Sequence, residues 1–185
     1  MKYAAIILSV FALLPAVAGD AFKIDGGHSS VVFSVQHNGI ADFYGRFNHV
    51  SGTITYDAGN PSASAFDITI DANSIDTNGE KRDKHLRGSD FFSSKQFPDI
   101  TFKSTKVTAK GGTLHVTGDM TMLGKTNSVT LEVTVSDTKE SRGATLRGFA
   151  ASGSIKRSTF GMTYGVGGPL GDDVKLIISL EGSFK

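Results

Sequence analysis

Apolar residues recur at every second position through most of this chain, and this period constrains the fold more than any other feature. The clearest run is Phe66-Asp67-Ile68-Thr69-Ile70-Asp71, in which apolar and acidic or hydroxyl side chains alternate. A period of two places successive side chains on opposite faces of a strand, one dry and one wet. The same alternation marks residues 31–36, 53–56, 100–103, 114–122, 129–135 and 174–180. Residues 144–156 are less regular, because apolar side chains occur on both faces.

Turn-forming residues separate these runs, as at Asp57 to Pro61, Lys110-Gly111-Gly112 and Leu123-Gly124-Lys125. Several antiparallel strands joined by short turns predict an all-β barrel or sandwich. Many of the 22 glycines fall inside or beside strands. Glycine in a strand often marks a bend or bulge, which a small closed barrel needs at its corners.

The connection between the Phe66 and Ile100 strands breaks the pattern. Thr77-Asn78-Gly79-Glu80 fits a capping box, so we predict a short helix that begins here and stops at Gly88. Asp83 and Arg87 are four apart and are expected to pair on its surface. Long ordered connections in compact domains often serve as lids or binding loops.

The first 18 residues have the features of a secretory signal peptide. Lys2 gives a positive start, Ala4 to Leu14 is apolar, and Ala16-Val17-Ala18 supplies small residues at a cleavage site. We expect cleavage after Ala18, with Gly19 as the alternative position. Residues 19–185 then form a single exported domain.

Charge and cysteine content exclude several functions. Without Lys2 the chain has 18 basic and 18 acidic residues, so it lacks the basic field of a nucleic-acid-binding protein. The absence of cysteine excludes disulfides, thiolate metal sites and a lipid anchor on cysteine.

No arrangement of residues predicts catalysis or a metal site. The five histidines include no helical i, i+4 pair, although a site assembled through space stays open. The serines have no nucleophile-elbow context, and the glycines of 165–171 lack the phosphate-loop pattern. We therefore predict a binding protein, without enzyme activity, cofactor or metal.

Phenylalanine is abundant, with 13 residues against no tryptophan. These rings either fill a core or enclose an apolar ligand, since a small barrel can do both. An outer-membrane barrel is the alternative, because it shares the alternation and the leader. Outer-membrane barrels carry girdles of aromatic residues at both membrane interfaces, and a chain with four tyrosines and no tryptophan has few residues for them.

Four blocks stand out by their order and spacing: Phe22-Lys23-Ile24-Asp25 with His28-Ser29, Arg82 to Arg87 with Ser89-Asp90-Phe91-Phe92, Phe97 to Phe102, and Ile155 to Gly161. Together they resemble the YceI-like family of bacterial polyisoprenoid-binding proteins, and this resemblance implies export to the periplasm. The resemblance covers essentially the whole mature chain.

The resemblance implies a lipocalin-like antiparallel barrel of eight strands with an internal tunnel. The implied ligand is a long apolar chain, such as an isoprenoid quinone, a polyprenyl lipid or a fatty-acid derivative. A lipid carrier of this kind leaves transient membrane contact and a homodimer open, and an enzyme acting on bound lipid is a further alternative.

On this basis we assign candidate lipid-binding residues in three groups. Inward strand residues would line the tunnel, loop residues would close its mouth, and three polar residues would contact a ligand head. For His37, the alternative of equal weight is a buried, hydrogen-bonded histidine of the core. The groups are Phe33, Val35, Ile100, Phe102, Leu114, Val116, Leu131 and Val133; then Phe43, Phe47, Phe91 and Phe92; then His37, Arg46 and His85.

Overall fold

The computed structural model describes residues 19–185, so the expected leader lies outside the described residues. Within residues 19–185, twelve strands and one α-helix follow one another. They are β1 (Asp20–Ile24), β2 (Ser30–His37), β3 (Ala41–Phe47), β4 (Val50–Tyr56), β5 (Ala65–Asp71), β6 (Ile75–Asp76), α1 (Glu80–Leu86), β7 (Asp99–Lys110), β8 (Thr113–Met122), β9 (Lys125–Val135), β10 (Lys139–Ser141), β11 (Ala144–Lys156) and β12 (Leu170–Phe184).

The strands form one antiparallel sheet that closes on itself. The neighbours run β11-β9-β8-β7-β5-β4-β1-β12, and β11 pairs again with β12 to complete a ring of eight. That closing pair is long, from Thr145 opposite Phe184 to Lys156 opposite Asp173. The eight-stranded antiparallel barrel implied by the resemblance is confirmed.

Three of the eight barrel positions are occupied by interrupted strands. β1 and β2 share the first of these positions, and both pair with β12. β4 pairs with β1 and β3 pairs with β2, so β4 and β3 share the second. β5 pairs with β4 and β6 pairs with β3, so β5 and β6 share the third. A 3-10 turn at Gly26–His28 separates β1 from β2, and Asp25 caps it by accepting from the Gly27 amide at 2.9 Å. Another at Ala72–Ser74 separates β5 from β6. These breaks bend the sheet, as a small closed barrel requires.

The barrel interior is apolar and its outer face is polar. In β9, Val129, Leu131 and Val133 are buried, whereas Thr130 and Glu132 are exposed. A transmembrane barrel has the reverse arrangement, with an apolar band facing outward. This pattern disfavours the outer-membrane alternative. Separately, none of the helices in residues 19–185 is long and apolar enough to span a bilayer.

Aromatic side chains pack densely at one end of the interior. Phe22 and Phe149 meet edge to face with ring centroids 5.7 Å apart, and Phe184 lies 5.0 Å from Phe22. Phe66 joins the cluster 6.3 Å from Phe149. We call this end of the barrel the packed end. Space for a ligand must therefore lie elsewhere in the barrel.

An apolar cavity with a polar mouth

A cavity of about 490 Å³ lies inside the barrel, away from the packed end. This volume is within the range of small-molecule and cofactor sites. One part of its wall consists of alternate residues of β2 and β12, such as Phe33 opposite Leu176 and Val31 opposite Ile178. Because strand side chains alternate, their neighbour Ile177 points outward and is 50% exposed.

Nine of the fifteen candidate residues line this cavity. They come from all three groups of candidates. They are Phe33, Val35, His37, Phe43, Phe47, His85, Phe91, Phe92 and Ile100.

Five other candidates lie in the buried core and not in the cavity wall. They occupy filled parts of the interior that do not border this cavity. Phe102, for example, packs its ring against Gly118, where a Cβ would overlap it. The five are Phe102, Leu114, Val116, Leu131 and Val133.

The last candidate, Arg46, is exposed on the outside of the barrel. It belongs to β3, in which Phe43, Gly45 and Phe47 occupy alternate positions facing the interior. Arg46 takes the other face for that reason, and its Cα pairs with Asp76 of β6. Phe43 and Phe47 are accordingly strand residues, not loop residues as the sequence suggested.

Several lining residues were not among the candidates. The residues of β2, β5, β8 and β12 did carry a signal, since these segments alternate in the sequence, but alternation does not tell a wall from a filled core. The residues of α1 and of 155–169 reach the cavity through the way the helix and the loop pack on the barrel, which the sequence does not show. They are Val31, Ile70, Arg82, Leu86, Met120, Met122, Ile155, Arg157, Met162, Tyr164, Pro169, Leu170, Val174, Leu176 and Ile178.

Three segments surround the open end, which we call the mouth. They are the β2–β3 hairpin, the loop 161–169 before β12, and helix α1. The amide of Asn38 in the hairpin donates to the carbonyl of Pro169 at 2.7 Å, which joins the first two. The guanidinium carbon of Arg82 in α1 lies 4.5 Å from the ring centre of Phe43, which joins the helix to β3.

Helix α1 is held by a buried hydrogen-bond cluster instead of the expected capping box. The helix begins at Glu80 with Gly79 as its uncapped N-cap. The Thr77 amide donates to Asp83 Oδ1 at 2.9 Å, and the Thr77 hydroxyl donates to the same oxygen. The predicted Asp83–Arg87 pair does not form, because Arg87 instead donates to the carbonyls of Asn73 and Ile75.

Phe91 and Phe92, which follow α1, contact both the core and the cavity. Phe92 meets Phe47 edge to face at 5.4 Å, and the buried Phe91 lies 5.2 Å from Tyr164. Both rings also line the cavity. They therefore anchor the helix while forming part of the wall beneath it.

His85 stands at the mouth between two aromatic rings. Its ring centre is 5.1 Å from Phe91 and 5.4 Å from Tyr164, and its Nε2 lies 2.9 Å from Asp90 Oδ2. His37 is also exposed at the mouth, opposite Leu170. Neither histidine is buried, so the interpretation of His37 as a buried core residue is excluded.

Arg157 is the most buried charged residue of the wall, with 3% of its surface exposed. It lies in the 3-10 turn Arg157–Phe160 and donates to four backbone carbonyls at 2.8–3.3 Å. These acceptors belong to Met162, Tyr164, Leu170 and Gly171, so the side chain orders the loop that forms one side of the mouth. Burial lowers the pKa of Arg157, an effect that the nearby Asp172 carboxylate opposes.

A separate group of possible metal ligands lies at the β1–β2 break. Donor atoms of Asp25, His28 and Glu181 are within 4.8 Å of one another. His28 Nδ1 is 2.9 Å from Asp25 Oδ2, and this bond lowers the pKa of Asp25 and raises that of His28. The cap that Asp25 forms on the turn explains this arrangement without an ion.

Comparison with known proteins connects this architecture to one family. A family model for the YceI-like domain matches residues 22–182. The chain is 44% identical over 170 residues to Protein YceI of Salmonella arizonae, covering 90% of this chain and 88% of the relative.

Solved structures share the same fold. BcnA from Burkholderia cenocepacia superposes with a TM-score of 0.78 and 26% identity, over 85% of this chain and 98% of BcnA. A polyisoprenoid binding domain from Saccharophagus degradans has a TM-score of 0.67 at 15% identity, over 89% of this chain and 98% of that domain. The second likeness is one of fold alone.

Proposed function

Because the chain belongs to the YceI-like family, we propose that it binds a long apolar lipid chain inside its barrel. The observation that carries the proposal is the cavity, whose wall consists mainly of aliphatic, aromatic and methionine side chains. Each buried methylene contributes about 0.8 kcal/mol, so a long chain binds well without many polar contacts. The Saccharophagus polyisoprenoid binding domain, which has the same fold, adds support from the architecture.

The candidate ligands are an isoprenoid quinone, a polyprenyl lipid and a fatty-acid derivative. We place the protein in the periplasm as a carrier, following the leader-like first 18 residues. Such a carrier sequesters an insoluble chain from water between two membranes. It performs no chemistry on the chain and needs no cofactor or metal.

Loading from a membrane requires contact with it, and the mouth supplies a suitable surface. Ile40, at the tip of the β2–β3 hairpin, is 85% exposed, and Tyr164 across the mouth is 49% exposed. Exposed apolar side chains at one opening favour transient insertion at a lipid interface. A homodimer remains a prediction from the sequence.

The experiment is lipid extraction from protein purified without detergent, followed by mass spectrometry. Recovery of a long-chain lipid in near-stoichiometric amount, and rebinding of that lipid by the stripped protein, is the expected result. A stable fold that yields no lipid and takes up no added quinone, polyprenol or fatty acid would contradict the proposal. Recovery of chemically altered lipid after incubation would indicate an enzyme instead.

A further inference from the structure

The titratable side chains that line the cavity are basic and lie around the mouth. Among residues 19–185, none of those lining the cavity is acidic, whereas two arginines and two histidines line it. His37 lies in the β2–β3 hairpin, Arg82 and His85 lie in α1, and Arg157 donates to carbonyls of the loop 161–169. The remainder of the wall is apolar, apart from the Tyr164 hydroxyl.

Arg82 is positioned to meet a group at the opening. It is exposed, lines the cavity and lies over the Phe43 ring. Its Nε donates to the Thr77 hydroxyl and its Nη2 to the Thr77 carbonyl, each at 2.7 Å. Its Nη1 bonds to no group within the described part of the chain, and this nitrogen is therefore a donor left over for a ligand.

Arg157 adds a second positive charge behind the mouth. Its partners are neutral carbonyls, and it forms no ion pair with any of residues 19–185. Asp172 lies near, but its carboxylate is bonded to the amide and hydroxyl of Ser158 at 2.9 and 2.8 Å. The Asp172 carboxylate offsets the cost of burying the Arg157 charge only in part, and an anion in the cavity would offset more of it.

We propose that the ligand is an anionic amphiphile whose carboxylate or phosphate head is held at the mouth by Arg82, with Arg157 behind it, while its chain extends toward the packed end. This inference rests on the proposed lipid binding and narrows it. A neutral quinone presents only carbonyl oxygens, which accept weaker hydrogen bonds from a guanidinium than an ionised oxygen does. A cationic head would be repelled by the two arginines.

The test compares probes that share one chain and differ in the head. Stripped protein is titrated, below the micelle threshold, with hexadecanoate, hexadecyl phosphate, hexadecanol and hexadecyltrimethylammonium, and dissociation constants are measured by displacement of a fluorescent apolar probe. We expect one or both anions to bind about tenfold more tightly than the alcohol, since charge-assisted hydrogen bonds are roughly twice as strong as neutral ones. The cation should bind most weakly. The two anions distinguish a fatty acid from a phosphate lipid.

Variants on one helix identify the group responsible. Arg82→Gln should reduce the anion-to-alcohol ratio severalfold, and Arg82→Lys should retain most of it. Lys84→Gln is the matched control, because Lys84 is an exposed α1 cation outside the cavity wall. The anion-to-alcohol affinity ratio is the quantity to compare, because a loosened helix would weaken the binding of the anion and of the alcohol to the same extent.

Each result has a defined meaning. Equal affinity for anion and alcohol in the unaltered protein would overturn the inference while leaving lipid binding intact. If Arg82→Gln leaves the anion-to-alcohol affinity ratio unchanged, Arg82 does not bind the head group. The same conclusion follows if Lys84→Gln changes this ratio as much as Arg82→Gln does. Failure of all four probes to bind would instead contradict the proposed function itself.

Discussion

Filling the cavity from one wall position should weaken lipid binding in proportion to the chain length displaced. Ile178 lines the cavity opposite Val31, and the adjacent Ile177 points outward with 50% of its surface exposed. Ile178→Trp places a larger side chain into the space that the ligand would use. Ile177→Trp makes the same chemical change on the other face of the same strand and is the matched control.

The expected magnitude follows from the methylenes displaced. If the indole excludes two to three methylenes at about 0.8 kcal/mol each, binding weakens by about 2 kcal/mol, or about thirtyfold. The loss should be larger for longer chains, since a short chain can still fit the remaining space. Ile177→Trp should bind every chain as the unaltered protein does.

The assay uses the fact that the chain has no tryptophan, so each variant carries a single one. Emission from the Ile178→Trp variant should be that of a buried indole and should change when lipid is added. Emission from the Ile177→Trp variant should be solvent-like and unresponsive. Thermal unfolding monitored alongside confirms that both variants fold.

The reasoning would be refuted by a folded Ile178→Trp variant that binds long chains with unchanged affinity and shows no change in emission. Equal losses in the two variants would also refute it, because the outward residue has no contact with the proposed ligand. Either result would mean that the chain does not occupy this cavity.

Three further predictions concern the helix, the core and the surface. Asp83→Ala removes the buried acceptor of the Thr77 amide and hydroxyl, so the free energy of unfolding should fall by about 1–3 kcal/mol in a denaturant titration, and exchange of the α1 amides should accelerate. Phe102→Ala empties a filled core position and should cost about 3–5 kcal/mol in the same titration while leaving lipid selectivity unchanged. The raised pKa of His28 and the lowered pKa of Asp25 mean that their bond stabilises the fold between the two values. The contribution is lost as pH rises through the pKa of His28 and as pH falls through that of Asp25. An NMR titration should place the His28 pKa above its ordinary value of about 6.5, and Asp25→Asn should lower it toward that value.

These predictions have clear contrary outcomes. Unchanged stability and amide exchange in Asp83→Ala would mean that the cluster does not hold α1 in place. A Phe102→Ala variant that keeps its stability but changes its lipid preference would restore that residue to the ligand site. If the His28 pKa does not change in Asp25→Asn, the hydrogen bond between His28 and Asp25 is not the cause of its raised value.

The alternation of residues predicted an all-β barrel or sandwich, because a period of two indicates which face of each strand is buried. The choice of an eight-stranded barrel came from the family resemblance. The alternation could not predict at which level along the barrel axis each inward side chain lies. Phe33 and Phe102 are both inward phenylalanines, yet one lines the cavity and the other is packed against Gly118. That difference depends on which strands meet at each level, which only register determines.

The polar part of the site was less predictable, for a different reason. Arg157 is a wall residue because the loop 161–169 folds around its guanidinium, and no local pattern marks such a contact. The segment Arg82 to Phe92 carries one of the blocks of the family resemblance, but the partner of Asp83 was wrongly predicted. Spacing favoured Arg87 on the same helix, whereas the structure uses the Thr77 amide and hydroxyl, which precede the helix.

The central claim is that a long apolar chain occupies this cavity, and methyl NMR with a carbon-13-labelled lipid tests it most directly. Intermolecular NOEs from the lipid chain should reach the methyl groups of Val31, Leu176 and Ile178 on the wall. The methyl groups of the outward Ile177 should show none. NOEs restricted to outward methyl groups, or saturable binding without any contact to the wall, would contradict the account.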